Sequence, residues 1–409
     1  MASLLRQKQE TQPLLAHRYS NKERPYRMEE PDTISVERDD GLDVFRGLCI
    51  ILMILGKDQG NFDNMYSVFK HESWFSWHIA DLIFPFFLFM VGSSIYFAFR
   101  KIPREAQNWE EKDKALRSVT SRSIKLFVVG VLLNVPLSGF RWETLRWMGI
   151  LQRIAICYGC VATMFLFIHS RVKQYAVIGV LFLLHTSLLY GLVVPDCLSS
   201  ERLSRICSAQ SYLDTMLLGG KHLYFHLEYD PEGILSTLMA IANTFAGLEA
   251  ARLSSSLRYV NQRIIWCFVI GSVFMGMEVV LVDCFPNHMA PISKPLWTSS
   301  FLFSTVGCSF WCLAFCGLWA KVTPKWVQPC LWVGRNSFFL FAASFLLDYA
   351  ALLSIHVSHM PLKQWLYRHS AVVLLGDTKL ASLLFASVFT LFWTLIARTL
   401  YRNRLFLKI

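Results

Sequence analysis

The stretch Phe69-Lys70-His71-Glu72-Ser73-Trp74 is polar, yet it lies between two strongly apolar segments and shortly before Asp81. An imidazole titrating near about 6.5 can take a proton from an attacking amine or alcohol, or carry an acyl group itself. Asp81 opens the next helix, where the helix N-terminus favours a carboxylate. His222, His226 and His288 compete with His71 for a chemical role. Further ionisable and polar groups fall inside apolar segments. Asp43 and Arg46 stand three apart and share a helix face, so they can pair. Gln152-Arg153, Glu278, Asp283, Arg335-Asn336 and Asp348 lie in later segments. Such residues are costly in lipid and are functional candidates by default, with pairing inside the bundle as the competing explanation for each. Together they imply a wet internal cavity, which leaves a transporter or an intramembrane enzyme. There is no HExxH, GxSxG or Walker loop and no self-similarity between halves, so a hydrolase or ATPase has no support.

The elements that must position these groups are membrane helices. Of 409 residues, 54% are hydrophobic and only 17% charged, against about 25% charged in soluble domains. Apolar runs of roughly twenty residues match a hydrocarbon core about 30 Å thick, and spanning segments of that length are α-helical. The expected fold is an all-α polytopic bundle of about ten spans: 42–57, 79–99, 124–140, 148–168, 175–194, 233–251, 264–283, 297–320, 328–350 and 380–398. An even number puts both termini on one side. Of the 40 Lys and Arg, 25 fall on the side of the termini and 11 on the other. The positive-inside rule therefore predicts cytosolic termini and a non-cytosolic His71. The net charge of +11 needs no nucleic-acid partner. The basic loop 100–123 suits acidic lipid heads or a polyanionic cofactor as well as the cytosol.

Residues 1–40 read as a cytosolic, disordered tail with seven Lys/Arg and eight Asp/Glu, and 41–409 as the transmembrane domain. Glu10-Thr11-Gln12-Pro13-Leu14-Leu15 has the pattern of an acidic dileucine sorting signal, which would route the protein to endosomes and lysosomes. Cys308, Cys312 and Cys316 form one helix stripe without a His or carboxylate, the pattern of helix packing rather than a metal site. Cys197 and Cys207 share a non-cytosolic loop where a disulfide is plausible.

Larger blocks carry a resemblance. "LDVFRGLCIILMIL" (42–55) and "HESWFSWHIADLIFPFFLFMVGSSI" (71–95) are followed in order by "GILQRIAICY" (149–158), "YLDTMLLGGKHLYFH" (212–226), "YDPEGILSTLMAIANTFAG" (229–247), "PISKPLWTSSF" (291–301) and "WVGRNS" (332–337). From about residue 41 onward the sequence resembles the heparan-α-glucosaminide N-acetyltransferase family of lysosomal membrane enzymes. The resemblance implies a transmembrane acyltransferase that moves acetyl from cytosolic acetyl-CoA, as donor co-substrate and without a metal, to a lumenal terminal amino sugar such as that of heparan sulfate. It implies a homodimer in the lysosomal or endosomal membrane.

It also implies that His71 is the catalytic histidine, as base or nucleophile. Around it, Asp81 and Asp43 are expected to orient His71 or Arg46. Arg46, Arg153, Gln152, Lys294 and Asn336 are expected at the cofactor, the cations because coenzyme A carries phosphates. Trp297, Asp58 and Glu232 are expected at the substrate, Trp297 by stacking on a sugar face or adenine. The family carries a lumenal domain and a further span ahead of this region, which this sequence is expected to lack. An asparagine of the family is replaced by Lys57-Asp58, and a "GHE"-like stretch by Ala343-Ser344-Phe345. A lysine at position 57 is expected to change the charge beside the histidine. No N-x-[ST] sequon is present. These departures leave open another glycan acceptor, an inactive relative or a transporter.

Overall fold

The computed structural model describes residues 40–102, 109–198, 201–284 and 291–407. The dileucine-like tail and His288 lie outside them. Fourteen helices are described, in the order α1 (Asp40–Lys57), α2 (Ile79–Phe99), α3 (Trp109–Leu137), α4 (Ile150–Phe167), α5 (Arg171–Gly191), α6 (Ala209–Leu218), α7 (Ile234–Ser256), α8 (Val260–Cys284), α9 (Ser299–Val322), α10 (Gln328–Arg335), α11 (Ser337–Leu346), α12 (Leu362–His369), α13 (Ala371–Leu375) and α14 (Lys379–Arg402). The described strands are two short ones, β1 (His356–Val357) and β2 (Met360–Pro361), forming an antiparallel hairpin. The fold is all-α and polytopic, as expected.

Every one of the ten expected segments is helical. Among the described residues, eight helices are long and apolar enough to cross a membrane, and the bent pair formed by α10 and the α11 segment makes a ninth. The tenth, α1, is 18 residues long but carries Asp40, Asp43, Arg46 and Lys57. Two expectations need correction. First, the basic loop before the third span is in large part helix, since α3 begins at Trp109 rather than near 124. Glu110 and Glu111 in its first turn suit the positive end of the helix, and Asp113 pairs with Arg117 at 2.8 Å one turn on. Second, the ninth segment is not one rod. It bends by 77° at Asn336, whose backbone (φ −119°, ψ 27°) leaves the helical region, and its far end becomes π-helical over Leu347–Leu352.

The core is built on α1, α2, α4, α7 and α9, with α5 and α8 mostly exposed toward the surrounding phase. In lipid, helices associate through close packing and interhelical hydrogen bonds rather than through hydrophobicity. The α2–α7 contact shows both. A Cβ on Gly92 would meet the Thr244 carbonyl oxygen at 1.7 Å, and one on Gly247 the Phe89 carbonyl oxygen at 1.8 Å, so the two backbones touch where only hydrogen fits. Ser93 Oγ donates to the Gly247 carbonyl (2.8 Å), and buried Asn243 Nδ2 donates to the carbonyl of Pro85 (2.7 Å). Of the cysteine stripe of α9, Cys308 packs against α8, its Sγ 3.8 Å from Met275 Sδ. Cys197 and Cys207 are joined as a disulfide.

Candidate active site

Loop 58–78 and the segment 291–298 meet at one end of the bundle. Ser76 N–H donates to the Ile292 carbonyl at 2.7 Å, and Ser76 pairs with Ser293 in a single bridge. Trp74 anchors the loop from the other side, its Nε1–H donating to the Leu203 carbonyl at 2.7 Å and its ring packing edge-on against Tyr229. This docking holds His71 over the first turn of α2. His71 Nδ1 lies 2.8 Å from Asp81 Oδ1. Asp81 is fully buried while the His71 side chain is 65% exposed. Asp81 Oδ2 accepts the backbone N–H groups of Glu72 and His78, both at 3.0 Å. Lys294 Nζ completes the cluster, 3.0 Å from Asp81 Oδ1 and 3.3 Å from His71 Nδ1.

The chemistry follows from these contacts. A carboxylate that already accepts two backbone hydrogen bonds and a lysine stays ionised, and it accepts a hydrogen bond from Nδ1–H. The other ring nitrogen, Nε2, is then unprotonated and faces out, ready to accept a proton or an acyl group. This is the orienter–base logic of a catalytic triad. The lysine at His71 is therefore Lys294. Lys57, expected there, instead donates to the Ser344 carbonyl (2.9 Å) and pairs with Asp348 (3.1 Å) and Asp58 (3.6 Å).

The other site residues separate into groups. Asp58 sits in a buried quartet with Lys57, Asp348 and Lys363, the last bonding both carboxylates at 3.2 and 3.1 Å. Burial, countered by the two lysines and reinforced by Asp348, pushes Asp58 up to about 6. Glu232 pairs with Arg146, which also grips Asp230 at 2.8 and 2.5 Å. Burial alone would lower the Arg146 pKa, but the two carboxylates hold it well above its ordinary value. The sequence reading missed Arg146. It lies three residues before the "GILQRI" block, but nothing local points to carboxylates 84 and 86 residues downstream. Gln152 and Arg153 are adjacent but face different helices. Gln152 packs on Gly130 of α3, while Arg153 Nη2 donates to the Gly233 carbonyl (2.9 Å) and Ser236 Oγ (2.6 Å) at the start of α7. Trp297 is 1% exposed, with the Arg153 guanidinium 5.3 Å from its ring centroid and the rings of Phe84 and Phe301 edge-on. Its ring thus presents no open face for a sugar or adenine.

Asp43, Arg46 and Asn336 form a different cluster. Arg46 donates to Asp43 (2.7 Å) and to Ser94 Oγ near the C-terminal end of α2 (2.6 Å). Arg335 Nε lies 3.7 Å from Asp43, and Asn336 Oδ1 accepts from Leu407 N–H (3.1 Å). Asp43 and Asp58 stand at opposite ends of α1, about 22 Å apart at 1.5 Å per residue. Asp43 thus orients Arg46, and it is Asp81 that orients His71. Arg46 and Arg153, expected together at the coenzyme phosphates, lie at opposite ends of the bundle. A cavity of about 680 Å³ between α5, α7, α8 and α9 is lined by Phe182, Phe245, Phe274 and Phe303 and by none of these site residues.

The fold is that of a polytopic helical membrane protein with a His71–Asp81–Lys294 cluster at one end and a separate cluster of Asp43, Arg46 and Arg335 at the other. Residues 38–203 match the family model described as heparan-alpha-glucosaminide N-acetyltransferase, catalytic. The chain is 28% identical over 434 aligned positions to heparan-alpha-glucosaminide N-acetyltransferase of Mus musculus, covering 93% of this chain and 62% of the relative. It is 27% identical over 418 positions to the Homo sapiens protein of that name, covering 90% and 59%. The chain is thus similar to these acetyltransferases over nearly its whole length, in line with the resemblance of its motifs, and it spans about three fifths of the length of the curated relatives it matches. The family match includes His71, Asp81, Asp43, Arg46, Asp58, Gln152 and Arg153. Glu232, Lys294, Trp297 and Asn336 lie beyond it.

Proposed function

We propose that this chain transfers an acetyl group from acetyl-CoA to the amine of a terminal amino sugar, with His71 as base or nucleophile. The observation that carries the reading is the exposed imidazole tied through Nδ1 to a buried carboxylate, with Lys294 alongside. Nε2 takes the proton of the attacking amine as its nitrogen bonds to the acetyl carbon and the carbon–sulfur bond breaks. In the two-stage variant, Nε2 first carries the acetyl group itself. Asp81 fixes the tautomer and stabilises the imidazolium that forms.

The cluster of Arg46, Arg335 and Asn336 at the other end suits the coenzyme phosphates, since guanidinium groups bind phosphate oxygens bidentately. Coenzyme would then enter from the cytosol and the acceptor meet His71 on the lumenal side. Asp58 and Glu232 lie on that side too, buried in ion pairs with Lys363 and Arg146, and an acceptor sugar would meet them only by displacing those partners. Heparan sulfate glucosamine as acceptor, a lysosomal or endosomal membrane and a homodimer belong to this reading through the relatives' name and the resemblance. The test uses sealed vesicles containing the protein. Labelled acetyl-CoA is supplied on one face and a panel of amino sugars on the other. Transfer only in the orientation with acceptor at the His71 face is expected, and equal transfer with both reactants on the Arg46 face would overturn the reading.

A further inference from the structure

Arg153 is fully buried in α4, and its hydrogen bonds go to a carbonyl and a hydroxyl rather than to a carboxylate. Its Nη2 is occupied by Gly233 and Ser236, while its Nε and Nη1 have no hydrogen-bond partner. Beside it, Trp297 Nε1 is buried and unpartnered too. A buried cation with idle donors is expensive unless something else takes them. Trp297 moreover holds a left-handed backbone (φ 47°), a strained conformation for a bulky residue that tends to persist at functional positions.

The place of these donors matters. Phe84 touches both, with the Arg153 guanidinium 5.9 Å and the Trp297 ring 6.2 Å from its own. Phe84 is three residues along α2 from Asp81, so the donors sit about one turn, or roughly 4.5 Å, deeper in the bundle than the carboxylate that holds His71. The backbone N–H of Trp297 also closes a turn onto the Lys294 carbonyl at 3.1 Å, which ties it to the lysine of the same cluster.

We infer that Arg153 and Trp297 are the donors for the acyl carbonyl oxygen, a catalytic pair beneath His71 rather than contacts to phosphate or sugar. This rests on the acetyltransferase reading. As the acceptor nitrogen, or His71 Nε2, bonds to the carbonyl carbon, the carbonyl electron pair moves onto oxygen. That oxyanion takes hydrogen bonds from Arg153 and from Trp297 Nε1. It collapses with cleavage of the carbon–sulfur bond, and the thiolate leaves with the proton that the base took from the amine. Both the direct and the two-stage routes pass through such an oxyanion, so the pair serves either.

The experiment uses the full chain in membranes and acetyl-CoA carrying ¹³C at the carbonyl. Infrared difference spectra report the carbonyl stretch of the bound thioester, and initial rates report kcat and KM. The wild-type band is expected at lower frequency than that of acetyl-CoA in water. Trp297→Phe, which keeps the ring but loses the N–H, and Arg153→Met should each return the band part of the way. Each should lower kcat by about 10²- to 10³-fold with little change in KM for acetyl-CoA, the usual effect of losing one oxyanion donor. If Arg153→Met fails to reach the membrane, Trp297→Phe carries the test alone. A wild type that transfers acetyl with an unshifted band, together with a Trp297→Phe rate within twofold of it, overturns this inference and leaves the acetyltransferase reading standing. A wild type that binds acetyl-CoA but transfers nothing to any amine overturns both.

Discussion

Asp81 spends both of its oxygens on one task. Oδ2 is fixed by two backbone N–H groups, so Oδ1 can hold only one orientation toward Nδ1 of His71. Asp81→Asn preserves the shape but presents either an amide N–H or a weaker acceptor to Nδ1, which disturbs the tautomer that leaves Nε2 basic. The expected result is a fall in kcat of roughly two to four orders of magnitude with KM for both substrates nearly unchanged, read from steady-state rates in membranes. The His71–Asp81 contact was legible as one of the expected pairings, because His71 sits in the loop only ten residues before Asp81 in the first turn of α2. Lys294 was legible as a charge but not as their neighbour, since 223 residues separate it from His71. The placement of Lys57 shows the converse limit. Its position in the chain suggested the histidine, but Asp58, Asp348 and the Ser344 carbonyl offer a basic side chain more than a half-exposed imidazole does.

The ten helical segments could be read directly, because hydrocarbon thickness demands long apolar runs and leaves few other signals to confuse them. The break at Asn336 could not. Arg335 and Asn336 stood out as polar residues within one apolar run, but the bend there, where they contact Asp40, Asp43 and Leu407, has no local sequence pattern. Close helix contacts were equally hidden, since a glycine in a span reads the same whether it faces lipid or a neighbour. The α2–α7 interface gives a direct check. Gly247→Val forces a side chain against the Phe89 backbone, which cannot yield by a rotamer change, and overpacking of this kind costs about 1–3 kcal/mol. A clear drop in the thermal midpoint of the detergent-solubilised protein is expected. Gly276→Ala, where nothing lies within 4 Å, should not lower that midpoint and should raise it slightly, because an alanine in an open helix position gives up less backbone entropy.

Across the whole molecule, charge is divided between two ends. One gathers Asp43, Arg46, Arg335 and Asn336, and the other gathers His71, Lys294, Arg146, Glu232, Asp214 and the quartet around Asp58 and Lys363. Arginine and lysine counts in loops had anticipated two unlike sides but not which carboxylates meet which cations. Asp214 is buried in α6. Desolvation, with Asp230 beside it, pushes its carboxyl up from 3.8 to about 7, against the hydrogen bonds from Ile234 and Asp230 N–H. The folded protein therefore holds this proton more tightly than the unfolded chain. The stabilisation is complete below about pH 4 and is lost as the pH rises through 7. Wild-type stability should fall over that window by on the order of a few kcal/mol relative to Asp214→Asn, whose slope against pH should be flatter. Thermal midpoints at pH 4.5, 6 and 7.5 check this, with the slope rather than the absolute level as the readout.

The central claim is that His71 performs group transfer rather than serving a loop. It is tested most directly by acetyl transfer from labelled acetyl-CoA to glucosamine in membranes carrying the wild type or His71→Ala at matched, folded levels. Transfer by the wild type that disappears in the variant, with acetyl-CoA binding retained, is the predicted result. Transfer that persists at the wild-type rate in His71→Ala would contradict the account and return this histidine to the surface of its loop.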